Sequence, residues 1–360
     1  MKTVVLDKIA SVTRSCALRR EVRVSDEIAC LEGTVIAVRV LTDKTTYNQM
    51  ELPSGRMAQV KRGDVVAGAL GHRNALFGYS GRLPERLAPG DRVHLLNLGG
   101  VLGICDSINP DLGPPFECEV LGAVLHFPYL GERVGVPARI GARPLRPADP
   151  LELGGVPVVA LVGSCMNAGK TAAACALVRD FAHRDLRVNA LKATGVSLRR
   201  DVLAMEDAGA RRTGLFTDLG IVSTTRANAA AAARTLLLDM ASDAPDMIVA
   251  ERGDGLLGAY GVDAILADAE LRGAMTAVVL AANDPVAAWG GLELLRRDYG
   301  IRAAAVTGPA TDNRVGVEII EQQMGVRAIN ARTDGGRLAA AVLQAIGLGE
   351  QPGPAAVASA

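Results

Sequence analysis

The chain is poor in aromatic residues, has no net charge and lacks any long unbroken apolar run. Phe, Trp and Tyr make up 3% of its 360 residues, which excludes the base-stacking platforms that hold single-stranded nucleic acid. Thirty-nine Lys and Arg balance 39 Asp and Glu, so no overall positive field draws in a polyanion. The six cysteines, Cys16, Cys30, Cys105, Cys118, Cys165 and Cys175, contain no C-x-x-C pair, and a zinc ribbon is excluded. The first 20 residues carry Lys2, Asp7, Lys8, Arg14, Arg19 and Arg20 and lack the apolar core of a signal peptide. The longest uncharged stretch, residues 153–169, is broken by Pro157 and runs into Gly-Lys-Thr. It reads as a buried strand and a loop, not a membrane span. These absences lead to the expectation of a cytoplasmic protein with free thiols, without a nucleic-acid or membrane partner.

What is present is an ordinary folded composition, 49% hydrophobic and 22% charged, with length for two or three domains. The pattern changes near residue 150. Residues 1–126 read as a β-rich domain. Short strand-like runs, such as Val35, Ile36, Val38, Val40 and Leu41, are separated by turn residues, among them Pro53-Ser54-Gly55 and Gly99-Gly100. Their spacing predicts a small barrel or sandwich. Lys61-Arg62-Gly63-Asp64-Val65-Val66 is echoed by Ala88-Pro89-Gly90-Asp91-Arg92-Val93, each a turn feeding a strand, with Gly supplying positive φ and Asp capping the turn. Residues 127–155, rich in Pro and Gly, read as a linker that wraps. Residues 351–360 read as a frayed tail.

Residues 156–350 read as a doubly wound, mainly parallel α/β domain. Apolar strands are expected at 156–162, 188–191, 247–250, 277–281, 303–306 and 326–329. Helices are expected at 171–184, 202–208, 227–240, 285–299, 315–324 and 337–346. Asn283-Asp284-Pro285 is a helix start and Gly300 a stop. Continuous apolar strands alternating with helices imply a parallel sheet covered on both faces.

The strongest chemical signal is Gly163-Ser164-Cys165-Met166-Asn167-Ala168-Gly169-Lys170-Thr171, between the first strand and first helix of this half. A loop of backbone N–H groups at a helix N-terminus is an anion site, and a lysine adds positive charge. Gly163, Ser164, Asn167, Ala168, Gly169, Lys170 and Thr171 are therefore the candidate phosphate-binding residues, with the Thr171 hydroxyl placed for Mg²⁺. Five residues separate the two glycines, one more than usual.

That spacing resembles dethiobiotin synthetase and its relatives among the P-loop NTPases. Leu191-Lys192-Ala193-Thr194-Gly195 matches the family's second strand, which ends in lysine before a Thr/Ser-Gly segment. Ile248-Val249-Ala250-Glu251-Arg252-Gly253-Asp254-Gly255 matches its strand ending in an acid before a Gly-rich turn. The chain is also similar to a P-loop family that includes a D-glutamate N-acetyltransferase, which shares the Ala-Thr-Gly and a segment like Ala259-Tyr260-Gly261. The likeness covers roughly residues 156–346. Ala193 where dethiobiotin synthetases favour Pro, Arg252 where they carry a small residue, and the extra N-terminal domain are departures that bear on the substrate.

Glu251, at the carboxyl end of a strand, is a candidate Mg²⁺ ligand, and Asp254 is its neighbour. Lys192 is a candidate substrate or phosphate contact. Asp201 is a further metal candidate, not separable from Asp207 by sequence. Cys165 is either a nucleophile at a helix N-terminus or a small filler. His72, His94, His126 and His183 show no ligand spacing, and His72-Arg73-Asn74 is polar enough to border a site, although a solvated loop is the plainer reading. Asn313 and Asp312 either read a nucleotide base or open the next helix.

The resulting expectation is a Mg²⁺–ATP (or other nucleotide) enzyme of ligase or synthetase type, activating a small carboxylate or amine by phosphoryl transfer. Lys170, Lys192 and Glu251 are its candidate catalytic residues. Two alternatives stand beside it. One is an N-acyltransferase whose loop grips the phosphates of acetyl-CoA or CoA. The other is a nucleotide-switched binding protein. A homodimer is left open.

Overall fold

Runs of β-branched residues bounded by Gly-Asp turns form the N-terminal half as a barrel. The computed structural model describes residues 1–129, 131, 134–141 and 143–348, so the expected tail at 351–360 lies outside the described residues. The strand Phe116–His126 pairs with Val35–Val40, that strand with Val65–Leu70, and that in turn with Val101–Ile108. Arg92–Leu95 pairs with both Val101–Ile108 and Phe116–His126 and closes the ring. Closure removes free edges from these five strands and encloses a core containing Val38, Val66, Leu102 and Val120. Lys2–Val5 and Glu21–Ser25 extend the sheet outside the ring.

The echoed hexapeptides are the same turn built twice. Gly63 and Gly90 have φ of 92° and 94°. The Lys61 and Ala88 N–H groups donate to Asp64 and Asp91 at 2.6 and 2.8 Å. Each turn is tied to the barrel, Gly63 N–H to the Val40 carbonyl and Gly90 N–H to the Val120 carbonyl, both at 2.8 Å.

Residues 127–155 follow a path against both halves. Val136–Pro137 pairs with the end of Phe116–His126, and Ala138 and Ile140 are buried in the barrel core. Further on, Leu145, Leu151 and Leu153 pack on the second half, and the Arg146 N–H donates to Thr235 Oγ1 at 2.8 Å.

The second half is α/β, with a parallel sheet in the order Arg212–Leu215, Val188–Thr194, Met247–Arg252, Val158–Gly163, Met275–Ala281, Ala305–Thr307. Alternate residues of Val158–Gly163 face opposite layers. Val159 and Leu161 pack under the helices Lys170–His183 and Gly335–Ala345. Ala160 and Val162 pack under Pro285–Tyr299 and Arg314–Met324. Asp284 caps the helix that Pro285 opens, accepting the Ala287 N–H at 2.8 Å, and Gly300 ends it in the left-handed region.

Several expected boundaries move. Strands at 188 and 247 run on to Thr194 and Arg252, to the mouth of the phosphate loop. Residues 326–329 make only a bridge, Val306 to Ala328, because just two backbone bonds are formed there. The strand Arg212–Leu215 and the helices Val262–Ala267 and Ala269–Gly273 were not foreseen. They are short and lack a clear period.

Candidate functional site

The strand Val158–Gly163 delivers the chain to a loop that turns back into the helix Lys170–His183. Asn167 and Gly169 take φ of 60° and 95°, conformations that Asn tolerates and Gly adopts freely. The N–H groups of residues 166–169 have no acceptor among the described residues, which leaves them free for an anion. Gly163 is required on packing grounds: a Cβ there would lie 2.8 Å from Lys170 Nζ. The Ser164 N–H is instead used within the sheet, donating to the Ala281 carbonyl at 2.9 Å.

Lys170 is 5% exposed and donates to the Cys165 carbonyl at 2.7 Å. Burial pulls its ammonium below the ordinary lysine range. Thr171 Oγ1 donates to Glu251 Oε1 at 3.1 Å, while the buried Glu251 Oε2 has no partner. A hydroxyl and a half-satisfied carboxylate at the phosphate loop suit Mg²⁺, which takes few protein ligands and completes its shell with waters and phosphate oxygens. Among the described residues no cluster of three His, Cys, Asp or Glu forms an all-protein metal cage. Burial raises the Glu251 carboxyl above its usual range, although Lys192 and Lys170 oppose this.

Lys192 lies near the end of the strand Val188–Thr194. It is buried and ion-paired with Asp201, the second residue of the helix Arg200–Asp207. Burial alone would depress the Lys192 ammonium, but Asp201 and Glu251 carry it above its ordinary value. Asp201, despite burial, is held below the usual carboxylate range by Lys192. Asp207, at the far end of the same helix, is exposed. Asp201 is thus the aspartate in the site, engaged by a lysine. Asp254 is buried in the left-handed region with φ of 74°, and Oδ1 has no partner. Burial raises its carboxyl above the usual carboxylate range.

These side chains line one cleft of about 680 Å³ that the barrel half completes with Tyr47, Arg73, Phe77, Asn97 and Leu98. The halves are tied by hydrogen bonds around it. Asn97 Nδ2 donates to the Ser197 carbonyl at 2.8 Å, and the Asn74 N–H donates to the Tyr260 hydroxyl at 3.3 Å. Of the two readings of His72-Arg73-Asn74, the structure departs from the solvated loop at Arg73, which is 3% exposed and lines the cleft.

Asn313 does not line this cleft. Its Oδ1 accepts the Gly316 N–H at 3.1 Å and caps Arg314–Met324, while Asp312 accepts from Asn330 Nδ2 at 2.8 Å. Of the two readings, the contacts are those of residues that open the next helix and tie it to Asn330. Cys165 is half-buried, with Sγ 2.9 Å from Asn283 Nδ2. His94 is occupied as an acceptor for the Cys105 N–H at 3.1 Å.

No family model matches the chain, and no curated protein matches it. Solved structures with a similar strand-and-helix arrangement include three proteins. The signal recognition particle receptor FtsY from Elizabethkingia anophelis has 19% identity over 48% of this chain and 57% of that chain, with a TM-score of 0.36. A DUF1611 family protein from Anabaena variabilis has 17% identity over 58% and 62%, with a TM-score of 0.38. The 54 kDa signal recognition particle protein from Aeropyrum pernix, in complex with GDP, has 20% identity over 56% and 49%, with a TM-score of 0.36. The chain spans little more than half the length of that FtsY structure. Among the described residues no helix is long and apolar enough to cross a membrane.

Proposed function

We propose that the chain is a Mg²⁺- and nucleotide-dependent enzyme that activates a small substrate by phosphoryl transfer. The observation that carries this reading is the Thr171 Oγ1–Glu251 Oε1 contact of 3.1 Å beside the buried Lys170. A hydroxyl, a carboxylate and an ammonium converge there on a loop with free N–H groups. Phosphoryl transfer asks for positioning and charge neutralisation more than for covalent chemistry. In this reading the N–H groups of residues 166–169 cradle the phosphates and Lys170 neutralises them. Thr171 and Glu251 would hold Mg²⁺, which would supply positive charge to offset the charge developing on the phosphate. Lys192, fixed by Asp201, orients the acceptor. The cleft volume of about 680 Å³ leaves room for an acceptor beside a phosphate chain.

A second reading, a nucleotide-switched binding protein, is favoured by one contact. Glu51 of the barrel half holds the Arg199 and Arg200 N–H groups next to Asp201, so movement at the phosphate loop could reach the barrel. The acyltransferase reading has no such support beyond resemblance.

The deciding experiment is calorimetric titration of the full chain with ATP, GTP, ADP and CoA, each with and without Mg²⁺, followed by turnover assays. Mg²⁺ should tighten nucleotide binding, and Glu251→Gln should remove at least about tenfold of that gain, equivalent to roughly 1.4 kcal/mol. Nucleotide binding with no turnover on any small acceptor would favour the switch. CoA binding with acyl transfer in excess EDTA would overturn the proposal.

A further inference from the structure

We infer that Arg73, supplied by the barrel half, is the recognition residue for a carboxylate on the acceptor substrate. The inference rests on reading the cleft as the site of phosphoryl transfer and adds the substrate class. Arg73 is 3% exposed and lines the cleft, yet among the described residues no carboxylate lies within ion-pair distance of it. Its Nε is buried without a partner. The other cations of the cleft are differently placed. Lys192 is matched by Asp201, Lys170 is beside Glu251, and Arg200 lies 3.7 Å from Asp201. Among the cations lining the cleft, Arg73 is the one with no carboxylate beside it among the described residues; its acceptors are the neutral Tyr47 hydroxyl and Leu96 carbonyl. A buried charge without a partner is costly, and an anionic group entering the cleft removes that cost.

The guanidinium is held in one pose before anything binds. Its Nη1 donates to the Tyr47 hydroxyl at 3.1 Å and also to the Leu96 carbonyl. The Tyr47 ring lies against it, 5.7 Å from centroid to Cζ. Gly78, at φ of 138°, packs on Nη2, and a Cβ there would collide with it. A planar donor fork fixed in this way matches a carboxylate, and an arginine so constrained loses little freedom on binding. The Asn74 N–H, one residue on, meets the Tyr260 hydroxyl. Tyr260 lies on the segment after Glu251 that also carries Asp254, whose Oδ2 accepts the Ala259 N–H at 3.1 Å. Lys192 and Asp254 line the same cleft, so a small carboxylate held on Arg73 would share it with them. An amine without a carboxylate would add a second unanswered cation beside Arg73.

The test is isothermal titration of the full chain, with ADP and Mg²⁺ present, using acetate, succinate, glutarate and benzoate. Their uncharged amides and 1,4-diaminobutane are the controls. At least one carboxylate should bind saturably and its amide should not. Arg73→Met should weaken that carboxylate at least tenfold, and Arg73→Lys should weaken it less. Gly78→Ala, which displaces Nη2, should also weaken it. Circular dichroism and melting curves identify any variant that fails to fold; Arg73→Lys and Gly78→Ala then carry the comparison. The inference is overturned if none of the carboxylates binds, if the diamine binds in preference, or if the folded variants bind carboxylate as the unsubstituted protein does. ADP binding in the same titrations separately decides the nucleotide reading, so one can fail without the other.

Discussion

The Glu51 carboxylate of the barrel half accepts the Arg200 backbone N–H at 2.6 Å, the first residue of the helix that carries Asp201. Its other oxygen accepts the Arg199 N–H at 2.7 Å. The helix has no side-chain cap of its own, and an anion from 148 residues away in sequence fills that role. A carboxylate there satisfies two orphan donors and complements the helix dipole.

Glu51→Ala should therefore destabilise the protein by at least about 1.5 kcal/mol, since hydrogen bonds to a buried charged group are worth more than neutral ones. Glu51→Gln, with the same shape and one acceptor, should cost less. Urea denaturation of the two variants checks this. Equal stability of Glu51→Ala and the unsubstituted protein would show that the cap contributes nothing.

The buried Lys192–Asp201 pair gives a pH dependence whose sign follows from the two shifts. Asp201 titrates below the ordinary carboxylate range when folded, so its contribution is present above pH ~4 and disappears as pH falls through its folded value. Lys192 titrates above its ordinary value, so its contribution is present below pH ~10.4 and is lost as pH rises past it. Asp201→Asn leaves a buried ammonium without its partner and should cost about 3–5 kcal/mol at pH 7. That difference should stay nearly constant from about pH 5 to 9 and shrink in acid. Paired denaturation curves at pH 7 and pH 3 measure it; an equal loss at both would disprove the assignment.

The phosphate loop could be read in sequence because its parts are neighbours along the chain. Strand, glycines, Lys170 and Thr171 follow one another, and Glu251 ends a strand with a recognisable apolar run. The same holds for the twin turns at Gly63 and Gly90, whose Gly-Asp chemistry is local. Asn313 could not be assigned, because an Asn before a helix suits a cap and a ligand contact equally. Glu51 left no pattern, since it acts through space on Arg199 and Arg200, 148 and 149 positions away, and His72-Arg73-Asn74 offered only its polarity, which suits a site border and a solvated loop equally. The strand order also lies outside any local signal. It places Met247–Arg252 between Val188–Thr194 and Val158–Gly163, and this brings Glu251 to Thr171 and Lys192 into one cleft.

Arg252 was noted only as a departure from the resembling family, and its setting leads to the last prediction. It is 0% exposed, and Nε, Nη1 and Nη2 all lack partners among the described residues. Burial pushes its guanidinium down to about 10. A cation whose folded value is lowered imposes its cost at every pH below that value, and the cost recedes as pH rises through it. At pH 7 to 9 the whole penalty is therefore present. Arg252→Met keeps a long, flexible side chain and removes a buried charge that no described group offsets, which should stabilise the fold. We expect Arg252→Met to raise the melting temperature at pH 8, with a smaller gain above pH 10. Calorimetric melts at the two pH values check this. A fall in melting temperature at pH 8 would mean that the guanidinium is satisfied in solution by water or an anion, and that its removal costs those bonds.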